Sequence, residues 1–156
     1  MNKEQSMRVL VTGAHGFIGK NLVVRLEEWA DTEVFLFGRG DGVDNLTTLV
    51  DQSDAIVHLA GENRPIDNAD FAIVNTDLTR ILCEAIRATG RNIPLILASS
   101  IQAEQDNPYG QSKRVAEQVV EAFVTETGNH AVIFRLPGVF GKWCKPNYNS
   151  VVATFC

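Results

Sequence analysis

Five short apolar runs, each separated from the next by a helical pattern, leave this 156-residue chain few folds to choose from. The runs are MRVLVTG (7–13), TEVFLFG (32–38), DAIVHLAG (54–61), IPLILASS (93–100) and HAVIFRL (130–136). Strands this continuously apolar are buried on both faces, the condition of a parallel sheet with helices above and below. Between them, Ile18, Leu22, Leu26 and Trp29 recur at helical spacing, and NLTTLVDQ allows a short helix. A longer helix from about Asp70 to Thr89 sets Leu78, Ile81, Leu82, Ala85 and Ile86 on one face, and Gly90 stops it. Pro108 suits the first turn of a further helix, in which Val115, Val119 and Phe123 recur every four residues and which Gly128 closes. Right-handed crossovers then give an α/β fold built on a doubly wound parallel sheet.

No repeat or linker divides the chain, so residues 7–156 read as one domain. Residues 1–6, MNKEQS, are polar and read as an extension ahead of the first strand. The last residues, NSVVATFC, read as an unfinished helix, so the expectation is an incomplete domain. The net charge is −5 with basic residues scattered, which argues against a nucleic-acid partner. No apolar run approaches the ~20 residues of a membrane helix, and the N-terminus lacks the apolar stretch of a secretory signal. Cys83, Cys144 and Cys156 form no CxxC, and His15, His58 and His130 are dispersed, so no metal site is expected. A reduced, cytoplasmic protein is the plain reading, with His15 and His58 structural.

The loop TGAHGFIG joins strand one to helix one and spaces Gly13, Gly16 and Gly19 three apart. In a parallel sheet, ligands bind at the carboxyl ends of the strands. Gly13 permits the tight turn, Gly16 admits a pyrophosphate to the backbone, and Gly19 lets the helix pack closely. Phe17 and Ile18 carry the loop into the helix, whose unpaired N–H groups favour phosphate. A dinucleotide-binding Rossmann domain is therefore expected. At the end of strand two, where an acidic residue would take the ribose 2′-hydroxyl of NAD, the sequence has FGRGD. Arg39 there can pair with a 2′-phosphate and stack on adenine, so NADPH is the expected cofactor. Asp41 would reverse that preference if the strand ran two residues further.

Ser99 and Ser100 end strand four and are expected to open into the same crevice. Tyr109 starts the following helix, with Lys113 one turn on along the same face. A nearby ammonium is expected to lower the phenol's pKa toward the working range. With a serine hydroxyl aimed at the same point, this set suits proton transfer coupled to hydride transfer onto a ketone.

TGAHGFIG, HLAG, Ser100 and YGQSK together resemble the extended short-chain dehydrogenase/reductase family, over nearly the whole chain. The resemblance implies that Ser100, Tyr109 and Lys113 form a catalytic triad and that Lys113 also holds the nicotinamide ribose. It further implies that Leu59, Ala60 and Gly61 line the cofactor and that Asn75 contacts it. SSIQAEQDNPYGQSK and FGKWCKPNYNSVVATFC are similar to the CapF-type reductases of capsule and O-antigen synthesis. In those proteins a reductase domain precedes a cupin domain, and the reductase uses NADPH to reduce the C4 ketone of a UDP-4-keto-6-deoxy-2-acetamido sugar, toward UDP-N-acetyl-L-fucosamine. This chain ends before most of the sugar-binding lobe and the cupin of that pattern. No Asp-Glu pair follows Ser100, which disfavours a dehydratase.

Lys142, Lys145 and Asn147, in the polar loop after strand five, are candidates to meet the diphosphate of a UDP-sugar, with a solvated loop packed by Trp143 and Tyr148 as the alternative. The apolar helices near 70–89 and 108–127 suggest a homodimer, or core packing within one chain. Two other functions stay open: an NAD-dependent nucleotide-sugar 4-epimerase, and a non-catalytic dinucleotide sensor.

Overall fold

The computed structural model describes residues 6–62, 72–147 and 151–155; of the extension expected at 1–6, all but Ser6 lies outside the described residues. Strands β1 (Met7–Thr12), β2 (Thr32–Phe37), β3 (Ala55–His58), β4 (Leu95–Ser100) and β5 (Ala131–Leu136) form one sheet. Its order is β2-β1-β3-β4-β5, and every pairing is parallel. The chain steps outward from β1 to β2, then returns past β1 to β3. The connections after β1 and β3 therefore leave on opposite faces and open a crevice at the strands' carboxyl ends.

Helix α1 (Phe17–Glu27) covers one face. Its Leu22, Val23 and Leu26 pack on Val9, Val11 and Ala14. Helices α2 (Val43–Gln52), α3 (Leu78–Ala88) and α4 (Pro108–Thr127) cover the other. There Leu46, Val50, Leu82, Ile86, Val120 and Phe123 close over Leu10, Ile56, Leu95 and Leu97. The apolar stripes of α3 and α4 are thus largely spent inside one chain, which accounts for the pattern that suggested a dimer. A short helix, α5 (Val151–Phe155), follows the loop after β5. Among the described residues no helix is long and apolar enough to cross a membrane.

Several elements depart from the periodicity. The helix expected from Asp70 begins, within the described residues, with a wide i→i+5 stretch over Ala72–Asp77 before α3. Such turns free backbone and side chains for other partners, and the Asn75 side chain is turned to the loop after β3 and to Ser112. Trp29 lies beyond α1 and is exposed, because the chain turns there into β2 through Trp29 N–H to Leu26 O and Thr32 N–H to Trp29 O. On α4 the buried stripe runs through Lys113, Ala116, Glu117, Val120 and Phe123, leaving Val115 exposed. Two of the expected fully buried strands are also edge strands: β2 exposes Leu36, while β5 exposes Val132 and Phe134.

Candidate functional site

The loop after β1 is built by close backbone contact. Gly13 adopts a φ of +69°, and its N–H donates to Phe37 O at 2.8 Å. A Cβ at Gly13 would lie 2.6 Å from Ala60 N, so only glycine lets this loop touch the one after β3. A Cβ at Gly19 would strike the Gly13 carbonyl, so the first turn of α1 packs on the loop itself. Gly16 precedes α1 in an extended conformation, with no side-chain cap and no acidic residue in the first turn. The first N–H groups of α1 are left to an anion, and Phe17, Ile18, Leu59 and Gly61 line the crevice in front of them.

Beside this loop runs a continuous chain of hydrogen bonds. Ala60 N–H donates to Thr12 Oγ1 at 3.2 Å, and Thr12 Oγ1 lies 2.6 Å from His58 Nδ1. On the far side of the ring, His58 Nε2 lies 3.0 Å from Thr79 Oγ1, whose hydroxyl donates to Asn75 O at 2.6 Å. Since the Thr79 proton is committed to Asn75, it is Nε2–H that donates and Nδ1 that accepts from Thr12. Burial, reinforced by the charge of Lys113, pushes the imidazole down to about 3. His58 is a neutral strut between β3, the glycine loop and α3, as its structural reading required.

Strand β2 ends at Phe37, before Arg39 and not beyond it. Arg39 is 88% exposed and donates to Glu62 Oε2 at 2.8 Å, bridging the loops after β2 and β3. The Asp41 carboxylate accepts the Gly38 N–H at 2.8 Å and so closes the turn that presents Arg39.

Ser100, Tyr109 and Lys113 all line the one crevice. Two devices bring them together. The four-residue 3₁₀ turn Ile101–Glu104 follows β4, with the Ser100 hydroxyl accepting Gln102 N–H. Asn107 then caps α4 by accepting Gly110 N–H at 2.8 Å, with Pro108 in the first turn. The Ser100 and Tyr109 hydroxyls are hydrogen-bonded, yet burial dominates and holds the phenol above its ordinary value. This corrects the expectation that Lys113 would lower it: the ammonium is turned to Ala98 O, at 3.2 Å, and does not offset the burial. Tyr109 is therefore protonated at neutral pH, the state of a proton donor. Lys113 is 7% exposed, and burial pushes its ammonium down to about 8, against the raising effect of Glu117. A Cβ at Gly61 would lie 2.9 Å from Lys113 Nζ and 3.0 Å from Asn75 Oδ1, so the missing side chain there admits both groups.

Asn75 holds the loop after β3 like a strand partner. Its Oδ1 accepts Glu62 N–H at 2.9 Å, while Nδ2 donates to Glu62 O at 3.0 Å and to Ser112 Oγ at 2.9 Å. Both amide protons are spent on the protein, which makes positioning of residues 61 and 62 its role in this structure.

Sequence reasoning missed a buried ion cluster behind Lys113. Glu117, 1% exposed, accepts from Ser99 Oγ (2.5 Å) and Arg135 Nε (2.9 Å) on Oε1. Its Oε2 accepts from Arg135 Nη2 (2.7 Å) and Arg114 Nη1 (3.3 Å). Ser99 lines the crevice beside Ser100, as expected, but its hydroxyl is committed to Glu117, because neighbouring strand residues point to opposite faces. The available signal was Glu117 itself, a carboxylate four residues past Lys113 on the buried stripe of α4.

Lys142, Lys145 and Asn147 are not among the residues lining the crevice, which on that side are Leu136, Pro137, Gly138 and Val139. Lys142 Nζ sits 4.5 Å from the centre of the Trp143 ring, and Asn147 N–H donates to Thr154 Oγ1 at 2.9 Å. Asn21 ties this loop back to α1, donating to Phe17 O and Lys142 O. The loop is thus held by its own packing; Tyr148, the other packing candidate, lies outside the described residues.

Comparison with known proteins fits this geometry. The family model described as the NAD dependent epimerase/dehydratase family matches residues 9–156. Over 150 residues the chain is 55% identical to the UDP-2-acetamido-2,6-beta-L-arabino-hexul-4-ose reductase of Pseudomonas aeruginosa, covering 96% of this chain and 40% of that protein. It superposes on the capsular polysaccharide assembling protein CapF from Staphylococcus aureus with a TM-score of 0.83 and 43% identity, covering 96% of this chain and 41% of that one. RMD from Pseudomonas aeruginosa, complexed with NADPH, matches with a TM-score of 0.72 and 25% identity, over 86% of this chain and 53% of that one. The chain thus spans well under half the length of the reductase and of CapF.

Proposed function

From the premise that this chain belongs to the NAD dependent epimerase/dehydratase family, we propose that it is the dinucleotide-binding and proton-donating part of a nucleotide-sugar reductase. Its reaction is reduction of the C4 ketone of a UDP-4-keto-6-deoxy-2-acetamido-hexose, the reading supported by the hexul-4-ose reductase relative. The observation that carries it is a half-buried, protonated Tyr109, bonded to Ser100 and one helical turn from Lys113, in the crevice that the glycine loop opens.

The residues fit NADPH. The uncapped start of α1 at Gly16, Phe17 and Ile18 suits the pyrophosphate, with Gly13 and Gly19 shaping the loop. Arg39 suits a 2′-phosphate, Leu59, Ala60 and Gly61 the adenosine side, and Lys113 the nicotinamide ribose, with Asn75 setting the Gly61 loop. When bound, NADPH supplies the hydride that forms the new C–H bond at the ketone carbon. Ser100 holds the carbonyl oxygen by its hydroxyl. Tyr109 gives its phenolic proton to that oxygen as the C=O π bond breaks, and the Lys113 ammonium stabilises the phenolate left behind until it regains a proton from solvent.

Parallel titrations with NADPH and NADH, read by nicotinamide fluorescence, test this assignment. An NADPH preference of about tenfold, roughly 1.4 kcal/mol, that disappears in Arg39→Ala is expected. Tighter binding of NADH would move the reading to the 4-epimerase, and binding of neither would refute the cofactor assignment. Undiminished function in Tyr109→Phe would favour the sensor.

A further inference from the structure

We propose that Glu117 is a positioning residue for Lys113: clamped by Ser99, Arg114 and Arg135, its carboxylate fixes the buried face of α4 against β4 and β5 and supplies the negative charge that keeps the lysine an ammonium. The inference deepens the reductase reading and rests on it for the importance of Lys113.

The geometry carries it in three steps. Glu117 follows Lys113 by four residues on one helix, so both side chains lie on the same buried stripe. Its two oxygens accept four hydrogen bonds, three of them from β4 and β5. A rigid anion is thereby fixed one turn from the lysine, and the strands that hold it lead into Ser100 and Leu136 of the crevice wall. Among the described residues, the groups facing Lys113 from elsewhere bring no comparable charge. His58 on β3 is neutral, Tyr109 on α4 is protonated, and the amide of Asn75 is uncharged. Glu62 lines the same crevice but is paired with Arg39. Arg135 is itself divided between Glu117 and Glu104. Glu117 is the group that raises the lysine against its burial.

The five lysines of this chain make a direct test possible. Isotope-edited NMR follows their Cε–Hε signals through a pH titration, and Lys113→Met identifies the Lys113 signal. Glu117→Gln, which keeps shape and removes charge, is expected to lower the Lys113 midpoint by about one pH unit or more, while Glu117→Asp stays within about half a unit of native. A folded Glu117→Gln protein with the native midpoint would overturn the proposal. If that variant does not fold, Glu117→Asp carries the test: it keeps the charge, and a midpoint more than about half a unit from native overturns the proposal. NADPH titration of the same samples separates the two readings. A shifted lysine in a protein that never binds NADPH refutes the cofactor assignment and leaves the coupling standing.

Discussion

Lys113→Met is expected to make the protein more stable near neutral pH while removing the group assigned to the cofactor. The ammonium is held almost out of solvent, and its pKa falls from 10.5 to about 8. A displacement of that size corresponds to about 3 kcal/mol of opposition to the charged form in the folded state. Methionine fills similar space without charge, and the lost bond to Ala98 O returns about 1 kcal/mol of that gain. The net expectation is a stabilisation of about 2 kcal/mol, or a Tm higher by about 4–8 °C for a domain of this size. The pH dependence fixes the cause. Because the folded-state value lies below the unfolded one, the native penalty is fully present below about 8 and fades as pH rises to 10.5, where both states are neutral. Native stability therefore climbs across that window and the advantage of Lys113→Met closes. Urea unfolding of both proteins through the same pH range reads this directly. A methionine variant that is less stable near neutral pH, or whose difference does not change with pH, would refute the reasoning.

Three further outcomes follow from the site and the sheet. Tyr109→Phe should lower ketone reduction by about 10²- to 10⁴-fold, followed as NADPH consumption, while NADPH affinity changes less than about twofold. Gly13→Ala should cost about 3 kcal/mol in urea unfolding, since it combines a positive φ with a Cβ pressed on the Ala60 backbone. Asp54, at the amino end of β3, accepts from the Arg8 backbone and guanidinium, which hold its carboxyl down at about 2 against 3.8. Its folded-state value is the lower one, so its contribution is present above 3.8 and lost as pH falls toward 2; acid unfolding of Asp54→Asn should show a shallower decline through that window.

The sequence by itself determined the sheet, the glycine loop and the tyrosine–lysine pair. Each is a local signal: β-branched runs too short for helices, glycines at a strand-to-helix joint, and two side chains one turn apart on a capped helix. Arg39 was legible because a strand end at Phe37 places it by counting alone. What the tertiary structure decided depends on residues far apart in the chain. Ser99, Glu117 and Arg135 meet only when β4, α4 and β5 pack, and their meeting commits the Ser99 hydroxyl to Glu117. Thr12, His58 and Thr79 form one strut only once β1, β3 and α3 are assembled. The protonation of Tyr109 and Lys113 belongs to the same category. Spacing predicted an ammonium that lowers a phenol, whereas burial raised the phenol and lowered the ammonium. Periodicity records which residues share a face; how much water each one loses, and which distant charge it finds there, is set when the faces close.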